Sequence, residues 1–213
     1  MKYLLIVFSL LLFSAPISAQ SISDNFKTYI IKNDIYTQAL DKKFKDMFEY
    51  AFPECNQNIE ITRLNPKTLL PFIHLETQNV IETHPHHGQW IESAIGGACD
   101  QSSIFNLLVT AYNSEKEPVL YPLINGKTQI DPLAQSNAEQ SVYNALDCRT
   151  TKIVMNTKFL GYRSEDGKKL SVDDNNLGWF EQWIVDGCNS IQTVNLAILP
   201  DPKTKYRYVA KAQ

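Results

Sequence analysis

The chain has 213 residues, 44% of them hydrophobic and 20% charged, with a formal net charge of −3. That is enough apolar material for a core in one domain or two small ones. There is no basic excess and no run of Lys or Arg, which argues against a dedicated nucleic-acid or anionic-membrane surface.

Residues 1–19 read as an export signal, with Lys2 as the positive start, Tyr3 to Phe13 as the apolar run and Ser18-Ala19 before the cleavage point. The run is too short for a stable membrane span, and no other segment approaches the length required. No cysteine lies near the cleavage point, which speaks against a lipid anchor there. The expected product begins near Gln20, has 194 residues and is soluble in the periplasm or outside the cell.

A first helix should start at a Ser23-Asp24 cap, with Phe26, Tyr29 and Ile30 at helical spacing. After Asn33-Asp34 a second helix places Tyr36, Leu40, Phe44, Met47, Phe48 and Ala51 on one face, with Lys42, Lys43 and Lys45 opposite. Strands are expected at Ile59–Arg63 and Leu69–Leu75, then a hairpin over Gln89–Ala111 turning near Gly96-Gly97-Ala98. A strand at Val119–Ile124 leads to Asn125-Gly126, a tight-turn dipeptide. Asp131-Pro132 then opens a helix carrying Val142, Tyr143 and Leu146. Strands follow at Thr151–Tyr162 and Leu177–Leu199, with polar turns at Ser164–Lys169 and Asp173–Asn176, and Tyr206–Ala210 ends the chain.

Leu177–Leu199 organises the rest. Trp179, Glu181, Trp183 and Val185 alternate up to Asp186-Gly187, a favoured type I′ turn dipeptide, and Val194, Leu196 and Ile198 alternate beyond it. A turn there places Glu181 opposite Gln192. Trp90, Glu92, Cys99, Asn106 and Leu107 match Trp179, Glu181, Cys188, Asn195 and Leu196, each pair 89 residues apart. Five coincidences at one offset read as an internal duplication. The expectation is an α+β fold of two tandem related units, residues 20–130 and 131–213, packed together. Each has an N-terminal helix and an antiparallel sheet stapled by one disulfide. Four cysteines allow three pairings, and the duplication selects Cys55–Cys99 and Cys148–Cys188.

Trp-x-Glu puts a carboxylate on an apolar face, where it needs hydrogen-bond partners or a raised pKa. The structural reading makes Glu92 and Glu181 holders of backbone amides, Arg or Tyr; the chemical one makes either a general acid of a hydrolase. All four histidines, His74, His84, His86 and His87, lie within 14 residues. They suggest Zn²⁺ or Cu²⁺ binding, with Asp100 or Glu82 completing the shell, or a loop that touches a partner. Neither an HExxH motif, a GxSxG elbow, a phosphate-binding glycine loop nor a dinucleotide fingerprint is present. With the cysteines structural, no catalytic residue is assigned.

The run from Trp179 to Cys188, W-x-E-x-W-x-V-x-x-C, followed by Pro200-Asp201-Pro202, resembles a pattern in small exported proteins of Gram-negative bacteria. There the strand precedes a cysteine-stapled hairpin near the C-terminus, so the resemblance implies compartment and not activity. The first copy departs from it, with Ala94 where the second tryptophan stands. In architecture alone, tandem stapled α+β units are similar to the β-lactamase inhibitory proteins. The reading is therefore an exported, non-enzymatic protein that binds another macromolecule, as a secreted effector or inhibitor. Its expected contacts are His84, His86, His87, Trp90, Trp179 and Trp183. A metal-binding protein using the His84–His87 loop and a hydrolase using Glu92 or Glu181 are the alternatives.

Overall fold

The structure is a computed structural model and describes residues 19–55, 58–74, 79–148, 150–163 and 178–213. The expected export signal and the polar turns at Ser164–Lys169 and Asp173–Asn176 lie outside the described residues. The fold is α+β, with two antiparallel sheets and few helices. No helix among the described residues is long and apolar enough to cross a membrane.

Helix α1 spans Ala19–Lys32 and α2 spans Asp34–Ala51. Ser23 and Asp24 lie inside α1 rather than capping it, since the helix begins earlier. Asn33 caps α2, its side chain accepting from the Tyr36 amide at 2.9 Å. Tyr36, Leu40, Phe44, Phe48 and Ala51 are the buried stripe of α2, the face its spacing dictates.

The first sheet contains β1 (Glu60–Arg63), β2 (Lys67–Ile73), β3 (His87–Ala98), β4 (Gln101–Ala111) and β5 (Val119–Pro122). β1 and β2 pair with opposite ends of β3, and β5 lies outside β4. Its inner face, with Trp90, Ala94, Phe105, Leu107 and Val109, packs on α1 and α2. Phe26 and Phe72 meet the Trp90 ring edge-on at centroid distances of 5.6 and 5.9 Å, a favoured aromatic arrangement.

A single 3₁₀ turn, Pro132–Ala134, precedes α3 (Gln135–Ala145), and Asp131 caps it by accepting from the Leu133 amide. The second sheet follows in simple order: β6 (Ile153–Arg163), β7 (Gly178–Gly187), β8 (Ser190–Asp201) and β9 (Lys205–Ala212). Its inner face holds Trp179, Trp183, Val185, Val194, Leu196 and Ile198, with Ala138 and Val142 of α3 in the same core.

Both long hairpins turn later than the sequence suggests. Gly187 pairs with Ser190, so the loop is Cys188-Asn189, not Asp186-Gly187. Ala98 pairs with Gln101, so the first loop is Cys99-Asp100, beyond the glycines. All four loop residues have positive φ (51°, 61°, 57° and 62°), the backbone a type I′ turn demands. Asn and Asp tolerate that region better than most residues, which supplies the physical reason. Glu181 accordingly faces Leu196 rather than Gln192, as Glu92 faces Leu107.

The two sheets are joined through the connector 123–130, which is clasped by polar side chains. Asn106 Nδ2 donates to the carbonyls of Ile124 (2.8 Å) and Gly126 (3.0 Å). Asn125 Nδ2 donates to Val154 O, and the Thr157 hydroxyl donates to Asn125 O. Gly126 has φ +93°, and a Cβ there would run into the Thr157 backbone, so only glycine fits.

Candidate functional site

Each Trp-x-Glu strand aims its carboxylate at the inner face, because residues two apart in a strand share a side. Glu92 and Glu181 are both fully buried. Glu181 is satisfied on both oxygens. Trp179 Nε1 (2.9 Å), the Thr128 hydroxyl (3.1 Å) and the Gln129 amide (2.8 Å) donate to Oε1, and Trp183 Nε1 (3.0 Å) donates to Oε2. Glu92 is satisfied on one. The Tyr36 hydroxyl (2.8 Å) and Trp90 Nε1 (3.1 Å) donate to Oε1, while buried Oε2 accepts no hydrogen bond and faces Arg63 Nη2 at 3.8 Å. Arg63 in turn donates to the Ile30 carbonyl of α1 at 3.1 Å. Burial raises the Glu92 pKa above the ordinary carboxylate range, outweighing the lowering by the Tyr36 hydrogen bond, Arg63 and Trp90. Neither carboxylate lines the clefts at α2, α3 and the connector.

The three tryptophans do not form a contact surface, contrary to expectation. Trp90 and Trp183 have no exposed area and Trp179 is 6% exposed. Their rings fill the two cores and their N–H groups are committed to the glutamates.

The histidines divide. His84 Nδ1 hydrogen-bonds the Tyr29 hydroxyl at 2.9 Å, and burial lowers its pKa. His74 Nε2 lies 3.3 Å from the Thr83 hydroxyl, and its Nδ1 has no hydrogen-bond partner. His86 and His87 are exposed. Among the described residues no three His, Cys, Asp or Glu side chains are arranged to hold a metal, so His74, His84, His86 and His87 do not form the expected Zn²⁺ or Cu²⁺ shell. The inward histidines are taken up by Tyr29 and Thr83 instead.

Cys148 and Cys188 form the expected disulfide, with Cα atoms 5.5 Å apart. Cys55 and Cys99 are free thiols. The expected Cys55–Cys99 bridge is therefore not formed in the structure, and interaction with Cys99 pushes the Cys55 thiol up to about 11.

Two further features lie outside the Trp-x-Glu strands. On the outer face of the first sheet, His87 and Ile73 pair at one end, and Thr110 and Leu108 pair with Val119 and Tyr121. Interaction with Tyr112 raises the Tyr121 pKa. Ile73 (43% exposed), Tyr112 (62%), Val119 (39%) and Tyr121 (46%) leave large apolar side chains in solvent there. The alternation of β4 and β5 carried this signal, but only the cross-strand register brings the residues together. Separately, a cleft of about 540 Å³ lies between α2, α3 and the start of β6, with Lys43, Tyr50, Glu139, Tyr143 and Lys152 in its walls. The Tyr143 hydroxyl donates to Glu139 at 2.8 Å, and Lys152 Nζ donates to Cys148 O at 2.7 Å.

Comparison with known protein families, curated proteins and solved structures finds no match.

Proposed function

We propose that this is an exported, non-enzymatic protein that binds another macromolecule, in the envelope or outside the cell. The observation that carries the reading is the outer face of the first sheet. Ile73, His87, Tyr112, Val119 and Tyr121 expose tyrosine, imidazole and aliphatic surface together, the composition of an interface anchor. The reading is favoured over the hydrolase alternative by the burial of Glu92 and Glu181, and over the metal-binding one by the Tyr29 contact of His84 and the exposure of His86 and His87. The resemblance of Trp179–Cys188 to small exported Gram-negative proteins, and the disulfide, support export.

The test is affinity capture from envelope and medium fractions with the wild type and with a Tyr112→Ala/Tyr121→Ala/His87→Ala variant. A partner held by the wild type and lost by the variant at unchanged melting temperature supports the reading. Equal retention by both removes this face, and accumulation of the mature chain in the cytoplasm removes export.

The same reading includes tandem related units, residues 20–130 and 131–213. It is supported by the shared 89-residue offset, the cysteine-led turns with positive φ, and the indole-to-carboxylate hydrogen bond in each hairpin. On this reading Cys55 and Cys99, free thiols in the structure, close into a second disulfide on oxidation. Peptide mapping of oxidised protein should recover Cys55–Cys99 beside Cys148–Cys188; a crossed pairing would overturn the two-unit reading.

A further inference from the structure

Two helical stripes wall the cleft between α2, α3 and the start of β6. On α2 the stripe is Lys43, Met47 and Tyr50, each one residue before a buried Phe44, Phe48 or Ala51. On α3 it is Ser136, Glu139 and Tyr143, each one residue after a buried Gln135, Ala138 or Val142. Met47 and Ile153 pack on the first core and Tyr143 on the second, so both cores contribute to the lining.

Charge in the walls balances. α2 brings Lys43 and Asp46, and the opposite side brings Glu139 and Lys152, one cation and one anion from each. Such a lining has no net field with which to select an ion. Its polar ends are nevertheless ready to pair. The side chains of Lys43, Asp46, Tyr50 and Ser136 make no hydrogen bond or ion pair among the described residues. The Tyr143 hydroxyl donates to one Glu139 oxygen at 2.8 Å, which leaves the other as an acceptor. Burial, with the charge of Glu139, keeps Tyr143 protonated by raising its pKa. A purely apolar ligand would cover these groups without pairing them, at a desolvation cost. A hydroxyl both donates and accepts, so a ring edged with hydroxyls can answer donors and acceptors alike. The C–H face of such a ring suits the two phenol rings and the aliphatic floor.

We propose that this cleft is a binding site for a neutral saccharide of disaccharide size. Its volume of about 540 Å³ falls within the range of small-molecule sites, roughly 300–1,000 Å³. Lys43, Asp46 and Ser136 exchange hydrogen bonds with ring hydroxyls, and Glu139 accepts another. Tyr50 and Tyr143 supply aromatic surface, and Met47 and Ile153 the apolar floor. The site is separate from the sheet face that carries Tyr112 and Tyr121, and it does not depend on the macromolecule-binding reading.

The probes are maltose, cellobiose and N,N′-diacetylchitobiose, each titrated into the full chain and followed by two-dimensional NMR. Glycylglycine and inorganic phosphate are the zwitterionic and anionic controls. Saturable shifts from at least one disaccharide are expected at the amides of Met47, Tyr50, Ser136, Tyr143 and Ile153, while Tyr112 and Tyr121 stay unmoved. Because the ligand is neutral, its affinity should change by less than about twofold between low and high salt. Tyr50 is 66% exposed, so Tyr50→Ala spares the core. Lys43→Ala/Asp46→Ala removes both polar ends of α2 without altering the net charge. Each variant should weaken binding at least tenfold at an unchanged melting temperature. Failure of all three disaccharides to bind saturably, shifts confined to other residues, tighter binding of phosphate or glycylglycine, or indifference to both variants would overturn the inference.

Discussion

The two Trp-x-Glu hairpins present the same carboxylate in the same register and treat it differently. In the second sheet Glu181 receives four donors, two from indoles flanking it on its own strand and two from the connector. In the first sheet Ala94 stands where a second indole would, and Glu92 Oε2 is left facing a half-buried guanidinium. The cysteines repeat the contrast: Cys188 is bonded to Cys148, while Cys99 touches Cys55 as a thiol. A shared backbone register therefore fixes where a buried charge sits, and neighbours outside the motif decide whether it is fully solvated by protein.

The largest expected effect comes from removing the staple that distinguishes the second hairpin. Cys148→Ala/Cys188→Ala opens a loop of 40-residue separation and should cost about 4 kcal/mol on the loop-entropy estimate, read as a lower urea midpoint. Cys55→Ala should move the midpoint of the reduced protein far less. A comparable loss would mean that the first hairpin depends on its thiols as much as the second on its bridge.

Glu181→Gln comes next. The amide oxygen can keep the three Oε1 donors, but its NH₂ then meets Trp183 Nε1, a donor facing a donor, at roughly 2–3 kcal/mol. Glu92→Gln places its NH₂ where Oε2 already lacks a hydrogen bond, so the midpoint should shift by no more than about 1 kcal/mol in either direction. Equal losses in the two variants would break the comparison.

The smallest effect is one of pH. Because burial raises the Glu92 pKa in the folded state, the folded protein holds that proton more tightly than the unfolded chain. The resulting stabilisation is fully present below the unfolded value and disappears as pH rises through the folded one. The stability of the wild type relative to Glu92→Gln should therefore fall from acid towards neutral pH. A difference that rises instead would show that Arg63 outweighs desolvation.

Much of the fold was legible because its elements are strongly patterned. The α2 stripe, the Asp131-Pro132 start and the facing of Trp179, Glu181 and Trp183 follow directly from spacing. The turn was misplaced by two residues, from Asp186-Gly187 to Cys188-Asn189. A two-residue displacement preserves the faces of a strand, so the inward assignment of Glu181 survived while its cross-strand partner changed. The candidate site was less legible. Tyr36, Arg63, Thr128 and Gln129 reach the glutamates across 29 to 56 residues of sequence, and no local pattern records such contacts. The histidines are spread in environment because His84 meets Tyr29 while His86 and His87 stay exposed, a difference that no local pattern records.

The clasped connector also bears on the order in which the chain can finish folding. The hairpin of β3 and β4 is local and can close once residue 111 is available. Yet the Asn125 side chain, the Ser103 hydroxyl and the Lys127 amide find their acceptors at Val154, Met155 and Thr157, and the connector reaches Glu181 only through Thr128 and Gln129. A chain emerging from its N-terminus must hold the first sheet with those donors open until the second is in place. Truncation after residue 130 would then leave a first half with its secondary structure formed and its junction unsealed, a species more prone to aggregate than either the unfolded chain or the whole protein.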